Sequence, residues 1–382
     1  MASWVRSLLA VTCVSLIAGC GFWGGSDEVE PAALVNFEPQ NSVSVRWSAS
    51  VGSGPGSRFH QMVPSIDGDR IFAADSNGTV SAFDRNTGAR AWTINLKESV
   101  VGGVGAGFGQ VMLTTRSGQV VSLNANDGKE LWRHQLASEV TAQPQINREL
   151  VVLQQINGRV TALDRMTGEH RWSFDAQVPA LTLRGSGIPL VAADVTFVGM
   201  ANGRLAALDN TDGQMIWDQR VSLNEGRSDL ERIVDINSRP TIVNNVLYVV
   251  GYQGRLLAIN PFNAQAIWAQ NISSYRGLAS GFGNIYVVDA QGHVYAYDAA
   301  SGASVWSQTE LTHRHLTSPA VLGTTVVVGD REGYLHFLSQ VNGGFVARHR
   351  VDSSGLQGDL LVRDNILYVL SNAGRLVALT LN

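Results

Sequence analysis

The chain has 382 residues, 45% of them hydrophobic and 16% charged, with 40 glycines, nine tryptophans, two cysteines and a formal charge of −4. This is a globular composition, neither disordered nor collagen-like, and its acidic balance gives no electrostatic reason to bind nucleic acid. Cys13 and Cys20 both lie in the first twenty residues and cannot build a disulfide scaffold or a multi-cysteine zinc site.

The first element is an address. Residues 1–6 are a short basic start and residues 7–18 a mostly apolar run. The run is too short to span about 30 Å of hydrocarbon as a helix, but it suits the core of a secretory signal. It ends in Ile17-Ala18-Gly19-Cys20, which resembles the bacterial lipobox. That resemblance implies a signal peptide of residues 1–19, loss of Cys13 with it, and a lipid on Cys20, with no free thiol left. The alternative is an ordinary signal or an uncleaved anchor. Gly21 stands where the enterobacterial sorting scheme would place an aspartate to retain the protein at the inner membrane. The expected location is therefore the periplasmic face of the outer membrane. Several acyl chains, at about 0.8 kcal/mol per buried CH₂, make a stable anchor. Residues 20–40 mix glycine, proline and acidic residues and read as a lipidated tether.

From residue 41 to 382 the chain repeats. NGTVSAFDRNTGARAW from Asn77, NGRVTALDRMTGEHRW from Asn157 and QGHVYAYDAASGASVW from Gln291 are three of the strings. Frame glycines at 78, 118, 158, 203, 254, 292, 333 and 374 define eight units at intervals of 40, 40, 45, 51, 38, 41 and 41 residues. Fourteen residues after its glycine, each of the first six units carries a tryptophan: Trp92, Trp132, Trp172, Trp217, Trp268 and Trp306. Fourteen residues before it, five carry a proline: Pro64, Pro144, Pro189, Pro240 and Pro319.

Within a unit, period-two alternation separated by N-G and T-G type turns predicts four short antiparallel strands. Eight such units predict an all-β fold, an eight-bladed β-propeller. The last glycine has only eight residues after it, so the last blade lacks an outer strand. Residues 43–47, ending in Trp47, predict the strand that closes the ring. The tryptophans are expected to pack between blades and the prolines to open innermost strands.

Length variation is confined to the connectors from each outer strand to the next inner one. By strand parity these share a face with the N-G turns. The two longest interior connectors, over residues 174–188 and 218–239, flank the same blade and should be neighbours. The first contains Leu181, Leu183 and Arg184; the second is rich in both signs, including Asp235 and Arg239. An apolar loop beside a charged one on a rigid scaffold has the chemistry of a protein interface; the alternative is that Leu181 and Leu183 merely cap blade four and the charges are solvated.

Enzymatic signatures are missing: there is no nucleophile elbow, Walker loop, Rossmann fingerprint or zinc-binding helix motif. The glycine-rich run 102–107 falls in an inner strand, where close packing explains it better than phosphate binding. His313 and His315 could share a strand face, but without a third ligand they read as surface residues rather than a metal site.

The A-x-D-x-x-T-G-x-x-x-W repeat is similar to that of pyrroloquinoline-quinone dehydrogenases, which are much longer and carry a vicinal Cys-Cys disulfide and a calcium site. The ring here has no cysteine, so that resemblance implies the fold without the catalysis, and no cofactor or metal is expected. Lipobox, tether, blade number, blade lengths and segments such as Leu316-Thr317-Ser318-Pro319 and Val351-Asp352-Ser353-Ser354-Gly355 more closely resemble the BamB family, the propeller lipoproteins of the outer-membrane β-barrel assembly (BAM) machinery. This resemblance implies a non-catalytic scaffold that binds the periplasmic POTRA domains of the barrel-forming subunit and assists nascent outer-membrane proteins. It assigns partner binding to Leu181, Leu183, Arg184, Asp235 and the position of Asn237, where the family tends to be acidic. The alternative is a quinoprotein-like enzyme or a ligand-binding periplasmic propeller.

Overall fold

The glycine, tryptophan and proline frame resolves into eight four-stranded antiparallel sheets, with no helix among the described residues. The computed structural model describes residues 29–56, 62–179, 181–182, 187–222, 227–228 and 232–382. Pro31–Asn382 forms one compact unit, and the propeller belongs wholly to it.

In blade one the strands Ser65–Asp67, Arg70–Ala74, Thr79–Asp84 and Arg90–Asn95 run from inside to outside in chain order, and the pattern repeats around the ring. Each of the five frame prolines stands immediately before an inner strand, so its missing N–H removes no ladder bond. Buried side chains cluster across blade boundaries, as where Val152 and Ala162 of blade three meet Val198 and Leu208 of blade four.

Blade eight is composite. Its chain-order strands, Leu361–Arg363, Ile366–Leu370 and Arg375–Leu381, are completed by Val43–Ser50, which pairs antiparallel with the last of them from Val43 opposite Leu381 to Ser50 opposite Arg375. The expected clasp is therefore present, with Trp47 opposite Ala378.

The tryptophans explain the second set of glycines. Six of the seven indoles lean on the glycine turn of the next blade; the turn beyond Trp217 has Ala264 in its place, also left-handed at φ 61°. A Cβ on Gly88 would lie 2.6 Å from Trp47, one on Gly168 2.5 Å from Trp132, and one on Gly343 2.5 Å from Trp306. Each indole N–H also donates to a carbonyl of that blade: Trp47 to Arg85 at 2.9 Å, Trp172 to Asn210 at 2.7 Å and Trp306 to Gln340 at 2.9 Å. These glycines thus serve both a left-handed turn and a dock for the neighbour. Blade seven has Ala347 where the tryptophan would stand. The blade it faces has its third and outer strands joined by no turn, because they come from opposite ends of the chain.

The tether reading needs correction in its second half. Residues 31–41 form a strap along blade seven. The Ala32 N–H donates to Thr312 O at 2.9 Å, and Arg314 Nη1 donates back to Ala32 O at 2.7 Å. Arg348 Nη1 donates to Val35 O at 2.9 Å, Phe37 stacks on Phe345 with centroids 5.3 Å apart, and the Gln40 N–H reaches Val346 O at 2.9 Å. Two arginines and an aromatic face hold what composition alone suggested was a leash.

The histidine reading also changes. His313 and His315 lie in the connector before blade seven, not on a strand, and both take left-handed backbone angles (φ 60° and 53°). Between them Arg314 turns inward, fully buried, and donates from Nε to Asp330 Oδ2 at 2.7 Å. No group of three or more His, Cys, Asp or Glu side chains that could hold a metal occurs among the described residues. The glycine run lies in the inner strand Val100–Gly107, where a Cβ on Gly105 would stand 2.3 Å from Pro144 O. Close packing is its reason.

Candidate interaction face

Both long connectors join an outer strand to the next inner strand, and they flank blade four. Fourteen residues separate His170–Asp175 from Leu190–Val191, and twenty separate Met215–Arg220 from Thr241–Val243. Neither stretch carries a run of alternation long enough to extend a sheet, so both must find most of their partners elsewhere.

They find each other. A Cβ on Gly187, in the first connector, would lie 3.2 Å from Ile236 O in the second, and one on Gly199, at the end of a blade-four strand, 2.3 Å from the same oxygen. Glycine at both positions lets the second connector pass close over blade four. Ile236 is 1% exposed and packs with Phe197, Leu205 and Val221, while Val234 is also buried. The alternating segment Val234-Asp235-Ile236 is a plug between blades four and five. Ser238 fastens its end, donating to Val250 O at 2.8 Å.

Asp235, to which the resemblance assigns partner binding, is 3% exposed, and its backbone forms an antiparallel bridge with Tyr252, whose N–H donates to Asp235 O at 2.8 Å. Asn237 lies beside it and donates from Nδ2 to Asp235 Oδ2 at 3.2 Å. A carboxylate is acceptor-only, so an amide here supplies a donor that an acid at position 237 would not. Asp235 and Asn237 are thus brought together as a pair that holds the plug.

Leu181 is half exposed at the surface, where the sequence placed an interface anchor. Val178 in the same connector covers the frame glycine of blade three, with Cγ2 2.2 Å from where a Gly158 Cβ would be. Leu183, Arg184 and Cys20 lie outside the described residues. Sequence reasoning missed the plug. Its signal was the pair Val234 and Ile236, two residues apart inside an otherwise charged stretch.

Comparison with known proteins follows the same lines. A family model described as outer membrane protein assembly factor BamB matches residues 76–308 and 290–382. The chain is similar to the BamB of Pseudomonas aeruginosa, with 41% identity over all of both chains. It is similar to that of Escherichia coli K12 at 33% identity, covering 98% of this chain and 99% of the relative. Among solved structures, BamB from Moraxella catarrhalis superposes with a TM-score of 0.82 at 28% identity, covering 89% of this chain and all of that one. A quinohemoprotein alcohol dehydrogenase from Comamonas testosteroni gives a TM-score of 0.70 at 14% identity, covering 88% of this chain and 76% of that one, a likeness of fold alone.

Proposed function

Because the chain belongs to the BamB family of outer membrane protein assembly factors, we propose that it is a non-catalytic scaffold of the outer-membrane assembly complex that docks on the POTRA domains of the barrel-forming subunit. The observation that supports this reading most is the convergence of the two long connectors around Ile236, which gives one face a fixed platform beside the exposed Leu181. Leu181 and Leu183 fill an apolar pocket on the partner. Arg184 supplies a charged fork at its rim, and Asp235 with Asn237 keeps the platform in shape. A lipid on Cys20 holds the protein to the periplasmic face of the outer membrane.

Nascent outer-membrane strands have a separate place to meet the ring. The outer strands of blades four, five and six expose Ile216, Ile267 and Val305, each one residue before its tryptophan. An extended client segment can add to such an edge by main-chain hydrogen bonding.

Affinity capture from solubilised outer membranes tests the docking. Wild type should recover the barrel-forming subunit, and Leu183→Glu with Arg184→Glu should recover at least about tenfold less. Equal recovery, or none by wild type, refutes it. Fractionation of Cys20→Ala reads the anchor independently: the variant should leave the membrane fraction, and its retention there would rule out a lipid at Cys20.

A further inference from the structure

Seven of the eight blades send the same position into the axial channel, the residue two before the start of the inner strand. Together they line a cavity of about 590 Å³. Five members of this tier are neutral: Val63, Gln143, Ile188, Gly277 and Ser318. The other two are Arg239 of blade five and Asp359 of blade eight.

The neutral polar members are already engaged in joining neighbouring blades. Gln143 donates from Nε2 to Val104 O, and Ser318 Oγ accepts the Gly277 N–H at 2.8 Å. The other charged wall residues, Asp67 and Arg363, lie at the far ends of their inner strands, where each has a neighbour: Asp67 accepts the Gly109 N–H at 2.8 Å, and Arg363 stands 4.0 Å from Asp364. Arg239 and Asp359 have neither a hydrogen bond nor an ion pair among the described residues.

Arg239 is exposed to the channel, and crowding by the surrounding strands pushes its guanidinium pKa down with no carboxylate opposing it. Arginine keeps its charge at neutral pH even so. A cation lining a cavity without a counter-ion attracts any anion that enters it. Asp359, three blades away around the ring, is not among the groups that act on Arg239. A small anion would therefore satisfy Arg239 and leave Asp359 bare, and a small cation would do the reverse.

We infer that the channel binds a small zwitterion, with its carboxylate on Arg239, its ammonium on Asp359 and an aliphatic middle against Pro64, Leu278 and Leu360, which line the same cavity. The site is independent of the docking face and takes ligands of the ω-amino acid type. The guanidinium offers a carboxylate a two-pronged hydrogen bond, and the Asp359 carboxylate accepts from the ammonium.

Titration of the full chain in detergent with 6-aminohexanoate, hexanoate and hexylamine separates the two charges. 6-Aminohexanoate should bind saturably, and each singly charged probe at least about tenfold more weakly. Arg239→Gln should abolish the preference for 6-aminohexanoate over hexylamine, while Arg239→Lys retains it. Asp359→Asn should abolish the preference over hexanoate. Thermal melting shows which variants fold, and if Arg239→Gln does not, Asp359→Asn carries the comparison. No saturable binding of any probe, equal binding of all three, or unchanged preferences in a folded variant overturns the inference.

Discussion

Gly168 carries two duties that substitution can separate. Its φ of +74° is left-handed, and a Cβ there would stand 2.5 Å from the indole of Trp132. Gly68 has a comparable φ of +59° but nothing within 4 Å. Gly68→Ala should therefore cost only the backbone term, about 1–2 kcal/mol. Gly168→Ala adds the crowding of a packed aromatic, for a total of about 2–5 kcal/mol. Denaturant unfolding of the two variants measures the dock by difference, and equal losses would deny the glycine its second role. His336 makes a second residue-scale case. It is fully buried, donates from Nε2 to Asp330 Oδ2 at 2.9 Å and accepts from Arg348 Nε at 3.3 Å on Nδ1. Burial pushes its pKa down, only partly opposed by Asp330. Below the unfolded value of about 6.5 the unfolded chain takes up a proton that the native ring refuses, so stability falls as pH falls, by up to about 1.4 kcal/mol per pH unit for each such histidine. His134 and His349, also pushed down by burial, act with the same sign. His336→Gln should flatten the fall of Tm between about pH 6.5 and pH 5, whatever it does to Tm at neutral pH. An unchanged slope would mean that His336 is protonated in the native state.

The second long connector is an element in its own right, held by an apolar pair and a carboxylate–amide contact rather than by a ladder. Ile236→Ala should cost about 2–5 kcal/mol. It should also weaken capture of the barrel-forming subunit, although a residue 1% exposed touches no partner. Full capture by a destabilised Ile236→Ala would separate the plug from docking. The blades were legible because each states its geometry several times over: period-two strands, turn glycines, and a tryptophan at a constant offset that must meet the next unit. The plug states its geometry once, through Val234 and Ile236 among charges, and no local period announces it. Asp235 was identified as important while its burial was not, since a charged residue in a loop is ordinarily solvated and only the approach of Tyr252 and Asn237 makes it otherwise. The strap was illegible for the same reason. Its partners Arg314, Arg348 and Phe345 lie some three hundred residues away, and composition carries no trace of them.

At the scale of the whole ring, closure uses the same device as every other blade junction. Trp47 docks on blade one through its N–H on Arg85 O, while its ring lies 6.0 Å from that of Tyr368 in its own blade. If the seam is equivalent to an interior junction, Trp47→Ala and Trp172→Ala should each cost about 3–5 kcal/mol. A much smaller loss for Trp47→Ala, measured by equilibrium unfolding, would mean that the ring stays shut without it. Blade seven, the one that lacks the tryptophan, is also the blade that wears the strap.

The strap gives the chain a mechanical polarity. A pull arriving through the residues before Pro31 meets blade seven first, where Arg314 and Arg348 grip the main chain at Ala32 and Val35 and Phe37 is stacked on Phe345. Because these contacts follow one another along the chain, from Ala32 through Val35 and Phe37 to Gln40, each must yield before the load passes to the next. Only after the last has given way does tension reach Val43–Ser50, the strand whose loss would open the ring. The seam that closes the molecule is thus relieved of force from the very end of the chain that forms it, as a clamped cable spares its solder joint.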